Sequence, residues 1–157
     1  MKKKCLIITL LITLIDQFIE YLVDKSFLML STKSIIGKFL SLTKTYNYGA
    51  SWSMFSGMRL MLIIISIAIL IFLVFYQKRF KDSIKNIIAF SFIYGGLLGN
   101  LVDRIIRGYV IDYIKVSFGD YTYPIFNLAD SFLVIGFILV IIFEIKGDGK
   151  NEVRINS

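Results

Sequence analysis

Seventeen consecutive residues, Leu60 to Tyr76, carry no charge and no strong helix breaker. A run of that length and apolarity suits a bilayer, where a helix satisfies every backbone polar group internally. Three further stretches repeat the pattern with polar interruptions, at about Cys5–Val23, Asn86–Val102 and Ile125–Ile145. The chain is 57% apolar over 157 residues, more than a soluble core of that length can hide. The expected fold class is therefore all-α integral membrane. Residues 1–157 form one membrane-embedded domain with four transmembrane helices.

The connections differ in character. Residues 24–59 mix Ser, Thr, Lys and Gly with Ile, Phe, Leu and Tyr. Leu40–Gly49 has a partial period of two, which predicts short strands. Trp52 fits a membrane interface. Asn47 stands beside Gly49, where a backbone can come close to a ligand. Residues 77–85 form a short basic loop. Residues 103–124 form a second longer loop, in which Gly119-Asp120 between two apolar triplets predicts a hairpin turn. Gly95, Gly96 and Gly99 predict close helix packing in the third span. Residues 146–157 read as a polar tail.

Charge placement sets an orientation. Residues 77–85 hold four basic residues in nine, residues 1–4 three in four, and residues 24–59 only five in thirty-six. The positive-inside rule then puts both termini and the 77–85 loop in the cytoplasm, and loops 24–59 and 103–124 outside. A cleavable leader is disfavoured, because no small-residue cleavage site follows the first apolar run. Cys5 precedes that run, so it reads as a lipid-facing thiol and not as a lipidation site.

Composition also removes chemistries. The net charge of +7 is dispersed between apolar runs, which suits membrane flanks better than nucleic acid. One cysteine and no histidine exclude an internal disulfide, histidine-based catalysis and Cys/His metal sites. Neither a metal nor a cofactor is expected. Acid–base work near neutral pH falls to Asp, Glu, Lys, Tyr, the backbone or water.

The acids then stand out. In the assigned orientation Asp16, Asn47, Asp103, Arg104, Asp112 and Asp130 all fall toward the outer face. Asp112 sits between Ile111 and Tyr113, and Asp130 between Ala129 and Ser131, with no basic neighbour. Two carboxylates held close together share a proton, so one can activate water while the other acts as the acid. Asp112 and Asp130 are the candidate catalytic pair. Asp103 with Arg104 reads as an ion-paired, structural or substrate-positioning element, and Asp16 as helix-packing glue. Residue chemistry alone leaves three classes open: a hydrolase, an ion- or proton-coupled carrier or channel using Asp16, Asp103 and Asp130, and an assembly protein. The one-sided placement of the acids favours the hydrolase.

Three motifs narrow this further: Asn47-Tyr-Gly-Ala-Ser-Trp, Gly99-Asn-Leu-Val-Asp-Arg with Val110-Ile-Asp112, and Phe126-Asn-Leu-Ala-Asp130. The sequence resembles the bacterial lipoprotein signal peptidases, or type II signal peptidases, over nearly its whole length. That resemblance implies a membrane aspartic endopeptidase that cuts prolipoproteins before a diacylglyceryl-modified cysteine. It implies Asp112 and Asp130 as the dyad, with Asn47, Gly49, Asn100, Asp103, Arg104, Asn127 and Asp16 shaping the site. It implies a four-helix bundle with a small β-rich extracytoplasmic cradle and a short helix, in the bacterial cytoplasmic membrane. The expected partners are prolipoprotein substrates and membrane lipids, with a monomeric enzyme and the first outer loop as an adaptable lid. The family commonly reads D-Q-x-x-K near the end of span one, whereas Glu20 stands here at the lysine position. Lys25 is the expected compensating charge. Ser51 is a milder departure.

Overall fold

The computed structural model describes residues 3–50 and 54–147; Trp52, Ser51 and the tail beyond 147 lie outside them. Four helices form: α1 Lys3–Ser26, α2 Arg59–Tyr76, α3 Ile84–Ile106 and α4 Leu128–Ile145. All four are long and apolar enough to cross a membrane. At roughly 1.5 Å per residue, even the two shortest approach the hydrocarbon thickness. A 3-10 turn, Gln77–Arg79, continues α2 toward the basic loop.

Helix α3 is the centre of the bundle. It packs mainly against α4 and α1 and lightly against α2. The glycines explain how close it gets. A Cβ on Gly96 would strike the Ala129 carbonyl and Leu133 of α4, and one on Gly95 would strike Ile12 of α1. A Cβ on Gly99 would collide with the Asp16 carboxylate. Small residues therefore let three backbones approach, as expected of an apolar solvent that gives no hydrophobic drive between helices.

A four-stranded antiparallel sheet caps the bundle end formed by the last turns of α1 and α3 and the first turns of α2 and α4. Its strands, β1 Thr32–Ile36, β2 Leu40–Asn47, β3 Val110–Phe118 and β4 Tyr121–Thr122, lie in sequence order. Asn47 pairs with Val110 and Thr45 with Asp112, so the end of β2 lies beside the catalytic candidate of β3. The expected hairpin forms, with Phe118 opposite Tyr121 and Gly119 at φ +61°. Lys44 and the Tyr46 hydroxyl both donate to Asp24 Oδ1, at 3.2 and 2.9 Å, and so tie β2 to the end of α1.

Several boundaries differ from the sequence reading. The third span runs on to Ile106, so Asp103 and Arg104 belong to α3 and not to a loop. Arg59 makes this extension possible: its guanidinium donates to the carbonyls of Arg104 and Ile105 at 2.6 and 2.8 Å, satisfying acceptors that a helix end leaves open. The fourth helix starts at Leu128, because Asn127 and Asp130 close a capping box there. Phe126, read as helical, instead bridges to Ile114 of β3. Cys5 is fully buried, not lipid-facing; Ser91 of α3 donates to its sulfur at 3.3 Å. Among the described residues of the first connection there is a turn at 54–57 but no helix.

Candidate active site

Asp112 lies on the inward half of β3 and is 3% exposed. Asn47, brought alongside by the β2–β3 register, donates to Asp112 Oδ2 at 2.9 Å. Asn47 is itself held by the Gly49 amide, which donates to its Oδ1 at 2.9 Å. The other oxygen of Asp112 is buried without a hydrogen-bond partner. Burial, and next the Asp130 carboxylate, push Asp112 up to about 7 despite the Asn47 hydrogen bond and the Arg104 charge.

Asp130 comes from the first turn of α4. Asn100 of α3 donates to its Oδ1 at 2.8 Å, and the Asn127 amide donates to its Oδ2 at 3.3 Å. Its own amide donates to Asn127 Oδ1 at 2.8 Å, completing the capping box. Asp112 and Asp130 face one cavity of about 420 Å³, together with Asn47, Asn100 and Arg104. Its apolar wall combines Tyr123–Phe126 with Leu133–Ile135 of α4. Arg104 lines the cavity, donating to the Gly49 carbonyl at 2.8 Å and the Asn100 carbonyl at 3.2 Å, while its Nε is buried without a partner. Gly49, expected near a ligand, is thus engaged through its backbone with Asn47 and Arg104.

The remaining expected site residues stand behind the cavity. Asp16 is fully buried; its Oδ1 accepts from the Ala129 amide at 2.9 Å, one residue from Asp130, and its Oδ2 is buried without a hydrogen-bond partner. Asn127 is also fully buried and does not line the cavity. Its amide donates to Asn100 Oδ1 at 3.0 Å and Glu20 Oε1 at 3.3 Å. Asp103 does not pair with Arg104. Adjacent residues on a helix diverge, whereas residues four apart face each other, and Asp103 meets Arg107 Nη1 at 2.5 Å. Arg107 also meets Glu20 at 2.8 Å. Lys25, the expected compensating charge, lies over the Tyr21 ring instead, 5.9 Å from its centroid. Burial opposes the charge on Arg107, but Asp103 and Glu20 hold its pKa above the ordinary range. Arg107 escaped the sequence reading, although its four-residue spacing from Asp103 was an available signal; Gln17 stood in the D-Q-x-x-K stretch without an assigned role. Among the described residues, no group of three or more His, Cys, Asp or Glu is arranged to hold a metal ion.

Four candidate membrane spans and a capping sheet that frame a cavity faced by two carboxylates, one from a strand and one from a helix, define a membrane protein with a polar site. Known proteins narrow the class. The sequence model described as Signal peptidase (SPase) II matches residues 8–146. A lipoprotein signal peptidase of Staphylococcus carnosus is 38% identical over 149 residues, 94% of each chain. That of Staphylococcus haemolyticus is 37% identical over 97% of this chain and 100% of its own. Two solved structures, both described as a bacterial membrane enzyme studied by the in meso method, share the fold. One has TM-score 0.82 and 33% identity over 98% of this chain and 92% of its own. The other has TM-score 0.79 and 36% identity over 90% and 92%. The chain belongs to the signal peptidase II family, and is by membership a multi-pass bacterial membrane peptidase.

Proposed function

We propose that this chain cleaves the signal peptide from diacylglyceryl-modified prolipoproteins, on the N-terminal side of the lipidated cysteine, using Asp112 and Asp130 as a water-activating dyad. The observation that carries the reading is that these carboxylates, from a strand and a helix, meet across one cavity with a polar floor and an apolar wall. The apolar wall suits a signal peptide and the lipid chains that stay in the bilayer. Charge density supports an extracytoplasmic site with both termini in the cytoplasm.

Protonation follows from the donors. Asp130 accepts two N–H groups and Asp112 one, so the shared proton rests on Asp112 and Asp130 is the base. Asp130 takes a proton from water as the water oxygen bonds to the scissile carbonyl carbon. Asp112 passes its proton to the carbonyl oxygen. When the tetrahedral adduct collapses, the C–N bond breaks, Asp130 gives its proton to the leaving amine, and one hydroxyl of the gem-diol returns its proton to Asp112 as it becomes the new carbonyl, so the pair again holds a single proton. Asn47 and Arg104, which line the cavity, hold the peptide backbone. The loop carrying Gly49, latched by Arg104, closes over the substrate as a lid.

A gel-shift cleavage assay tests this, with purified protein in detergent and a prolipoprotein with and without its diacylglyceryl group. Lipid-dependent cleavage, lost in both Asp112→Asn and Asp130→Asn, is expected. Near-normal cleavage by either variant would remove the dyad. Ion flux in proteoliposomes without cleavage would favour a carrier.

A further inference from the structure

Behind the cavity, four side chains close a square. Gln17 Nε2 donates to Glu20 Oε2 and to Asp103 Oδ1, both at 3.0 Å. Arg107 Nη1 donates to the same two oxygens, at 2.8 and 2.5 Å. Two donors and two acceptors thus lock α1 to the end of α3. Glu20 and Asp103 are both fully buried, and Arg107 supplies their only ion-pair charge among the described residues. Buried carboxylates without a counter-charge are strongly unfavourable, so Arg107 holds the square together.

Each carboxylate has a second oxygen, and these lead in different directions. Glu20 Oε1 accepts from Asn127 at 3.3 Å; Asn127 donates to Asn100, and Asn100 to Asp130. Asp103 Oδ2 accepts from the Ile111 amide at 3.4 Å, the residue before Asp112. One branch therefore reaches Asp130 and the other reaches Asp112.

We propose that Glu20 and Arg107 are positioning residues that set the separation of the two aspartates. The proposal rests on the dyad reading above. Neither residue lines the cavity, so neither touches the substrate. Both oxygens of Glu20 serve donors, on opposite sides, whereas an amide has one acceptor and serves only one of them. Arg107→Met leaves two buried carboxylates facing each other and lets both branches shift. A displacement on the order of 1 Å at reacting groups lowers rate by about 100-fold.

The test compares kcat and KM for wild type, Arg107→Met, Glu20→Gln, the double variant and Arg107→Lys, per folded molecule. Size-exclusion profile and Tm in detergent identify the folded fraction. Arg107→Met is expected to lose about 100-fold in kcat with KM unchanged. Glu20→Gln loses less. The double variant exceeds Arg107→Met in kcat, because removing one buried charge relieves the repulsion. Arg107→Lys recovers part of the rate. Wild-type kcat in folded Arg107→Met or Glu20→Gln would overturn the proposal, as would a change in KM alone. If Arg107→Met fails to fold, Glu20→Gln and Arg107→Lys decide by the same kcat. Misfolding of all three would show the pair to be purely structural and overturn it. Failure of wild type to cleave would instead sink the dyad reading. Wild-type cleavage lost in Asp112→Asn but retained in Arg107→Met would sink only the pair.

Discussion

Helices α2 and α3 invert the rule familiar from soluble proteins. The more apolar helix, α2, is the exposed one, with 11% of its membrane-spanning stretch buried, against 78% for the more polar α3. In a bilayer the apolar solvent lies outside, so Leu and Ile need no interior, whereas Asn100, Asp103 and Arg104 must face protein partners. Ser66, a polar residue inside α2, reaches only the Leu62 carbonyl of its own helix, at 2.8 Å. Asn100 on α3 reaches across to α4. The difference divides the molecule into a lipid-facing shell and a polar seam, and the site is where that seam meets the sheet.

The largest stability effect is expected where the polar seam ends, at Asp112. Its folded pKa of about 7 stands above the ordinary 3.8, so the fold favours the protonated acid. That contribution is fully present below pH 4 and is lost as pH rises through 7. Asp112→Asn has no such loss. Its Tm in detergent is expected to exceed that of wild type above pH 7, by the equivalent of a few kcal/mol at roughly 1.4 kcal/mol per pKa unit, and to converge toward pH 4. A constant difference across that range would show that Asp112 carries no burial strain.

Next comes packing. Gly96→Ala on α3 drives a methyl group into the Ala129 carbonyl and Leu133, and is expected to destabilise by about 1–3 kcal/mol. Arg59→Met, at the start of α2, removes the donors to the Arg104 and Ile105 carbonyls. These carbonyls are at an exposed helix end, so a loss of about 1 kcal/mol is expected, read as a lower Tm. The smallest effect belongs to Ala68→Leu, on the lipid face of α2. It enlarges a side chain with nothing to displace, and Tm should move by the equivalent of less than about 0.5 kcal/mol. A large effect there would mean that α2 packs against a partner.

Spans of apolar residues, the glycine seam and the hairpin at Gly119 were legible in the sequence because each depends on local pattern. Asp112 and Asp130 stood out for a related reason: a carboxylate without a basic neighbour in an apolar setting is conspicuous in one dimension. Helix ends were less legible. Asn127 and Asp130 do form a recognisable box, but the extension of α3 to Ile106 depends on Arg59, forty-five residues earlier in the chain.

Charge pairing was the least legible feature. Local order suggested Arg104 for Asp103 and Lys25 to compensate for Glu20, and the fold uses Arg107 at both acids. A helix turns neighbours away from each other, and a counter-charge is recruited from whichever element the fold brings within about 4 Å. The sequence by itself therefore determined four spans, the residues able to do acid–base chemistry, and the family. Only the tertiary structure decided which oxygen receives which donor, because a buried carboxylate is satisfied in space by side chains that lie up to 107 positions apart in the chain.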